Sequence, residues 1–242
     1  MTGCLGSICL VFMALMMVCP HSAGADVTIV SGGKAGAAIY VAPEVMQTQD
    51  PELAKRHKLL RDSVNDLLHY LHKISGAQVE IITGPPQAGD KRIPILIGDL
   101  AAARFGPPKT HAVADQGFRV VVTPDAIGLL GESDLATSYA IYEVLHQLGC
   151  RWYMPSEMGE VIPRMETVDL REQDLNSAPY TAKRTFGYCD EDYRRHNRLG
   201  GMSVSTGHGV EGYLSDERAR GWDRSARTRH PVLACACLAC IR

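Results

Sequence analysis

Gly131-Glu-Ser-Asp-Leu-Ala-Thr-Ser-Tyr-Ala-Ile-Tyr-Glu-Val-Leu-His-Gln-Leu-Gly149, continued by Cys150-Arg-Trp-Tyr-Met-Pro155, is the stretch whose reading decides the fold. It reads as a strand end, a capped helix, a glycine stop and a short aromatic strand ended by proline. Ser133 or Asp134 can cap the helix. Leu135, Tyr139, Tyr142, Leu145 and Leu148 supply a core face, while Ala136, Ala140, Ile141 and Val144 make the other faces apolar too. A helix apolar on most sides is buried on most sides. The expectation is a helix packed between its own sheet and something beyond it, with Gly149 as a left-handed stop.

Working back from this helix, Gly117–Val122 and Ala126–Leu130 are apolar runs joined through Pro124-Asp125, which predicts an antiparallel hairpin. Ile93–Gly98 is a strand whose Pro94 suggests an edge position or a strand start. Asp99–Phe105 is a short helix, and Gln78–Thr83 another strand. Asp50-Pro51 opens a long helix whose stripe is Leu53, Leu60, Val64, Leu67, Leu68, Leu71 and Ile74, stopped by Gly76. His57, His69 and His72 share it. His69 and His72 are spaced to share a metal, but no third ligand accompanies them, so they read as rim histidines. Val27–Val30 and Ala38–Val41 are strands flanking the glycine turn at 31–36. That turn is no phosphate loop, because Ala35 follows Lys34 where Ser or Thr would be needed. The pattern predicts an α/β (α+β) two-layer sandwich, with a mixed sheet and two long helices on one face.

Composition narrows the function classes. A formal net charge of -2 gives no case for nucleic acid or an anionic membrane. Residues 1–25 carry the apolar run Leu5–Val18 and the small-residue site Ala23-Gly24-Ala25, the layout of a cleaved signal peptide. The expected product is secreted or periplasmic, with no stable membrane anchor after cleavage near Ala25. Of eight cysteines only Cys150 and Cys189 lie in the body, where they either pair or stay as two separate residues; the second reading is preferred. Nothing calls for a cofactor or a metal.

Past Pro155, Glu166–Leu170 reads as the last strand of a domain spanning 26–172, and Asn176–Pro179 as a linker. Tyr180–Tyr188, Asp190–Leu199 and Met202–Thr206, with the loop Gly207-His208-Gly209, read as strand, helix, strand, the opening of a (β/α) barrel over 173–214. Such a barrel needs roughly 200 residues, so its start is incomplete. From about Glu217 the composition turns to arginines and small residues, and Cys235, Cys237 and Cys240 close the chain. Residues 215–242 are expected to be an aberrant, unfolded tail from an interrupted reading frame rather than a metal clip.

The run Tyr139–Pro155, with Asp115–Val122 and Ile127–Gly131, resembles the accessory N-terminal domain of family 67 α-glucuronidases and family 20 β-hexosaminidases. It is closest to exported bacterial proteins with the domain of unknown function numbered 4838. In those families the domain precedes a catalytic barrel, and Arg194–Gly200 with Gly207-His208 look like its first segment. The resemblance implies an exported, truncated glycoside hydrolase relative in polysaccharide metabolism that retains the non-catalytic domain, its acid–base carboxylates lying on barrel strands this chain lacks. The alternative is a carbohydrate-binding or protein-interaction module.

Asp190, Glu191 and Asp192 are consecutive, so a helix fans them apart instead of aiming them at one bond. Arg195, Asn197 and His208 are the candidate binders of a glycan. Arg151 and Trp152 either stack a sugar or pack an interface, Arg151 pairing an acid; packing is preferred, with Tyr139, Tyr142 and Pro155 as structural companions. An uncovered apolar helix face would also favour self-association.

Overall fold

The computed structural model describes residues 26–187 and 189–201. β1 (Asp26–Ser31) and β2 (Lys34–Ala35) form a hairpin whose turn glycines, Gly32 and Gly33, have φ of 54° and 72°, the left-handed region in which a side chain is strained. β3 (Ala37–Val41) leads through the single turn α1 (Pro43–Met46) to α2 (Pro51–Arg56) and α3 (Lys58–Ser75). β4 (Ile81–Thr83), β5 (Ile93–Ile97) and α4 (Asp99–Phe105) follow, then β6 (Phe118–Thr123), β7 (Ala126–Gly131) and α5 (Asp134–Gln147). β8 (Arg151–Trp152), β9 (Glu160–Val161), β10 (Val168–Arg171), β11 (Gln173–Ser177), β12 (Lys183–Arg184), α6 (Glu191–His196) and the short β13 (Gly200–Gly201), which pairs with β12, follow in turn. The described residues up to Gly200 belong to one contact unit.

The main sheet has six strands in the order β11-β6-β7-β5-β3-β4. β4, β3, β5 and β7 run parallel to one another, while β6 pairs antiparallel with both β7 and β11. The architecture is therefore a mixed-sheet α/β domain, as the sequence pattern predicts. β10 pairs with β1 in a separate three-stranded sheet.

Side-chain alternation explains why β3, β5 and β7 read as unbroken apolar runs. Ile39, Ile95, Ile127 and Leu129 point into the large core shared with α3 and α5. Ala38, Tyr40, Leu96 and Leu130 point to the opposite face, where Ala101 and Phe105 of α4 cover them. A strand buried on both faces loses the apolar–polar alternation of a half-exposed one. α4 thus adds a partial third layer beside the two long helices.

Four local readings need correction. The helix from Asp50 is two helices meeting at His57, whose ring pairs with Asp134 Oδ2 at 2.7 Å; Asp50 does cap the first, accepting from the Glu52 and Leu53 amides. β5 is an inner strand, so Pro94 marks only a strand start; its missing N–H sits one residue into the parallel ladder with β3. Residues 173–177, expected to open a linker, are the edge strand β11, in register with β6 from Gln173↔Val122 to Ser177↔Phe118. The sequence Gln-Asp-Leu-Asn-Ser hides it because an edge strand needs only one protected side. Of the described residues in the expected strand at 180–188, only Lys183–Arg184 is strand. Met202–Thr206, His208 and the cysteine-rich tail lie outside the described residues, as do residues 1–25.

α5 behaves as read. Ser133 Oγ accepts from the Ala136 amide, and every residue from Ala136 to Tyr142 is buried. The apolar helix face expected to stay open is covered, by the sheet, by α3 and by α6. Close approach of α5 to β7 depends on Gly131, because a Cβ there would lie 2.3 Å from the Ala136 carbonyl carbon and 2.4 Å from the Thr137 amide nitrogen. Both contacts are backbone, so no rotamer change relieves them. Gly131→Ala is expected to destabilise the domain by about 2–3 kcal/mol, the upper range for overpacking, read as a lowered urea midpoint at unchanged m-value.

Candidate functional site

Three elements distant in sequence meet where α6 lies on α3 and α5. The i, i+4 pairs Asp66/Tyr70 on α3 and Tyr142/His146 on α5 each place two polar groups on one helical face. Between them stands Trp152 of β8, only 4% exposed. Its indole stacks on His196 at 4.5 Å and on His146 at 5.8 Å, with interplanar angles of 26° and 27°. Trp152 Nε1 donates to the Tyr70 hydroxyl at 3.0 Å, and that hydroxyl donates to Glu160 Oε1 at 2.6 Å. Lys73 Nζ holds the other oxygen of Glu160 at 2.5 Å.

The ionic half of the site is centred on Asp66. Its Oδ2 accepts from Tyr142 Oη at 2.5 Å and Arg195 Nη2 at 3.0 Å, and lies 3.4 Å from His196 Nε2. Arg195 also reaches Asp192 at 2.8 Å. Further along, Asn197 Nδ2 donates to the Trp152 carbonyl at 3.2 Å, and Arg198 pairs with Glu143. α6 is therefore fastened by charge at one side and by ring stacking at the other.

The electrostatics follow from this geometry. Burial pushes Asp66 up, but hydrogen bonds from His196 and Tyr142 and the Arg195 charge outweigh it and hold the carboxyl below its ordinary value. Glu160 is likewise raised by burial and brought below its usual value by Lys73 and Tyr70. Burial drives the Tyr142 hydroxyl up, reinforced by the Asp66 charge, so it stays a donor. His146 is pushed down to about 4, first by burial and then by the charges of Arg198 and Arg151.

That last shift has a defined pH consequence. An unfolded histidine titrates near 6.5, whereas folded His146 resists protonation down to about 4. Between these values the unfolded state binds more protons, so stability is full above about 6.5 and falls as pH drops toward 4. Asp66 extends the loss below about 3.9, where its depressed carboxyl finally protonates. Thermal melts from pH 7.5 to 4 are expected to fall in temperature, and His146→Phe is expected to flatten the segment between 6.5 and 4.

A cleft of about 380 Å³ opens beside the cluster, between the β8–β9 loop and α6. Tyr70, Glu157, Glu160, Asp190 and Tyr193 line it, and the neighbouring Tyr153, Met154 and Met158 are 70%, 50% and 87% exposed. No group of His, Cys, Asp and Glu able to hold a metal occurs among the described residues. No helix among them is long and apolar enough to cross a membrane.

The residues singled out from sequence are placed as follows. Arg195 is buried and committed to Asp66 and Asp192, and Asn197 spends its amide on two carbonyls. His208 falls outside the described residues. Trp152 and Tyr142 pack inside the cluster, while Tyr139 stands edge-on to Phe118 and carries Arg184 over its ring at 5.0 Å. Arg151, expected to pair an acid, donates instead to the carbonyls of His146 and Cys150. The His146 carbonyl lies in the last turn of α5, at the partially negative end of the helix, which satisfies a guanidinium without a carboxylate. Pro155 lines the cleft. Cys150 is buried, with a thiol pushed up to about 12 by burial, and it and Cys189 are both free. Asp66, Tyr70, His146, Glu160 and His196 were not singled out from sequence. The one signal for them is Asp66, a carboxylate set between Val64 and Leu67 on an otherwise apolar stripe.

No family model matches the chain, and no curated protein matches it. Among solved structures, a family GH115 4-O-methyl-α-glucuronidase with specificity for decorated arabinogalactans is similar over 72% of this chain, with a TM-score of 0.50 at 16% identity. The family GH20 β-N-acetylhexosaminidase from Streptomyces coelicolor A3(2) gives 13% identity over 66% of this chain with a TM-score of 0.40. A mutant β-hexosaminidase from Streptomyces plicatus gives 15% over 66% with a TM-score of 0.38. The chain spans about a quarter of the length of each, 25%. At this identity the likeness is one of fold: the described residues share an α/β domain with a glycoside hydrolase.

Proposed function

We propose that the chain is the accessory α/β domain of an exported carbohydrate-active protein, one that positions the polypeptide following it and performs no glycosidic chemistry itself. The observation that supports this most is the direction of the two buried-side carboxylates. Glycoside hydrolysis generally needs one carboxyl held protonated, with its pKa raised, and a second one facing it across the bond. Asp66 and Glu160 are both shifted the other way and both engaged by cations and hydroxyls. These groups anchor α6; they are not poised to give up a proton. The resemblance of Tyr139–Pro155 to exported bacterial proteins with the domain of unknown function numbered 4838 supports the same reading, and the layout of residues 1–25 supports export.

The test is direct. The purified chain is expected to give no turnover of aryl glycosides or glucuronosyl oligosaccharides, and the exported product to begin at Asp26. Turnover that is abolished by a single acid-to-amide change would overturn the non-catalytic reading. A second reading, a glycan-binding module, is favoured by the exposed Tyr153, Met154 and Met158 beside the open cleft. Affinity electrophoresis on plant and bacterial glycans separates the two, since only the binder is retarded, and Tyr153→Ala would remove the retardation.

A further inference from the structure

α6 ends on a residue that is costly for the backbone. The Arg198 amide bonds the Arg195 carbonyl at 2.9 Å and the Leu199 amide bonds the Arg194 carbonyl at 2.8 Å, the paired bonds of a Schellman stop. Arg198 takes the left-handed position of that stop, with φ of 54°, where glycine meets no steric cost and arginine does. What arginine brings there is a guanidinium. It pairs with Glu143 and reaches His146 Nδ1 at 3.3 Å, both on α5, while Arg184 donates to the Arg198 carbonyl.

That contact fixes the state of His146. A guanidinium only donates, so Nδ1 accepts and the imidazole is neutral with its proton on Nε2. Nε2 is buried and has no hydrogen-bond partner among the described residues. A second proton has only Nδ1 to go to, where its N–H would stand against the N–H groups of Arg198. The ring is the part that stays, because its stack on Trp152 survives protonation: an indole face attracts a cation. Arg198, with its side chain 28% exposed, is the part that can turn to water.

The surroundings agree with this division. Burial disfavours a proton on His146, and so do the charges of Arg198 and of Arg151 on β8; Glu143 and the His196 backbone of α6 favour it. The remaining charges of the cluster are paired elsewhere, Asp66 with Arg195 and Glu160 with Lys73. A proton on His196 would tighten its 3.4 Å approach to Asp66, so that ring holds α6 instead of releasing it. Glu143 stands three residues before His146 on α5, within reach of an imidazolium there. We propose that Arg198 and a proton on His146 compete for one place on α5, so that acidification frees the C-terminal stop of α6, passes Glu143 from Arg198 to His146, and loosens the α6 wall of the cleft before the domain unfolds. The proposal goes beyond the accessory-domain reading and does not depend on it.

The experiment follows histidine ring nitrogens and backbone amides of the full chain by NMR from about pH 7.5 to about 4.5, across the range in which histidine titrates. At the upper end His146 is expected as the Nε2–H tautomer. Arg198→Met is expected to bind the His146 proton about 10-fold more tightly, the low end for removing one adjacent charge. Linkage requires the reciprocal effect in the unmodified chain. Exchange protection of the Arg198 and Leu199 amides, corrected for intrinsic pH dependence, is expected to fall up to about 10-fold further on acidification than that of the β3, β5 and β7 amides. His146→Phe keeps a ring on Trp152 and is expected to abolish this extra fall. Should His146→Phe not fold, Arg198→Met decides alone. The proposal is overturned by a proton resident on Nδ1 at the upper pH, or by an unchanged His146 titration in folded Arg198→Met. Protection at the end of α6 that falls only in step with the β3, β5 and β7 amides would also overturn it.

Discussion

Replacing Arg195 by methionine is expected to lower the unfolding free energy by about 3 kcal/mol, the low end for breaking a buried ion pair. The side chain is 9% exposed and Asp66 22%, so the pair is shielded but not sealed. Removing the guanidinium strands Asp66 beside the Tyr142 hydroxyl and leaves Asp192 without its 2.8 Å partner. Methionine fills most of the volume, which keeps the cavity contribution small and assigns the loss to charge. The informative comparison is the double variant Asp66→Leu/Arg195→Met. Because the larger penalty comes from an uncompensated charge, removing both partners is expected to restore part of the loss. A double variant as unstable as the sum of the two singles would show that the groups do not act as a pair.

Trp152→Ala carries the other large effect, about 4 kcal/mol, the usual cost of truncating a buried tryptophan. The indole is 4% exposed and contacts the rings of Tyr70, Tyr142, His146 and His196. Its removal opens a cavity, ends both imidazole stacks and deprives the Tyr70 hydroxyl of a donor. One of these contacts, the His196 stack, holds α6, so the loss should appear first there. Amide exchange of α6 is expected to accelerate, and proteases to cut near residues 178–187, while the β3, β5 and β7 amides stay protected up to global unfolding. Tyr153→Ala is the control: its side chain is 70% exposed, and a surface change should stay within about 0.5 kcal/mol.

The two variants touch groups of very different visibility in the sequence. Trp152 stands in the stretch that decides the fold, and packing is the preferred of its two sequence readings. In the sequence Arg195 stands with Asn197 and His208 as a candidate glycan binder at the start of a barrel, and nothing in its neighbours Arg194, His196 and Asn197 marks it for burial. Only its partner contradicts that, and the partner lies 129 residues away. The edge strand β11 escaped for a related reason. Its Asp174 carboxyl is held well below the usual range, first by Arg119 and then by Lys109, across the strand pairing. In the sequence alone, Gln173–Ser177 shows only a polar run.

Ser133 and Asp50 as helix caps, Gly76 as a stop, the β6–β7 turn and the buried faces of α5 were all determined by the sequence itself. Each depends on residues within a turn or two of one another, where periodicity and capping chemistry act directly. The mixed α/β layering follows from the same local patterns, since faces of fixed width can be buried in few ways. Tertiary structure alone decided that Asp66 accepts from Arg195 and that Trp152 stacks on two histidines. Those outcomes depend on which helices meet, at what distance and with which rings excluded from water. A polar group on an apolar stripe announces that it needs a partner, and only packing selects which one.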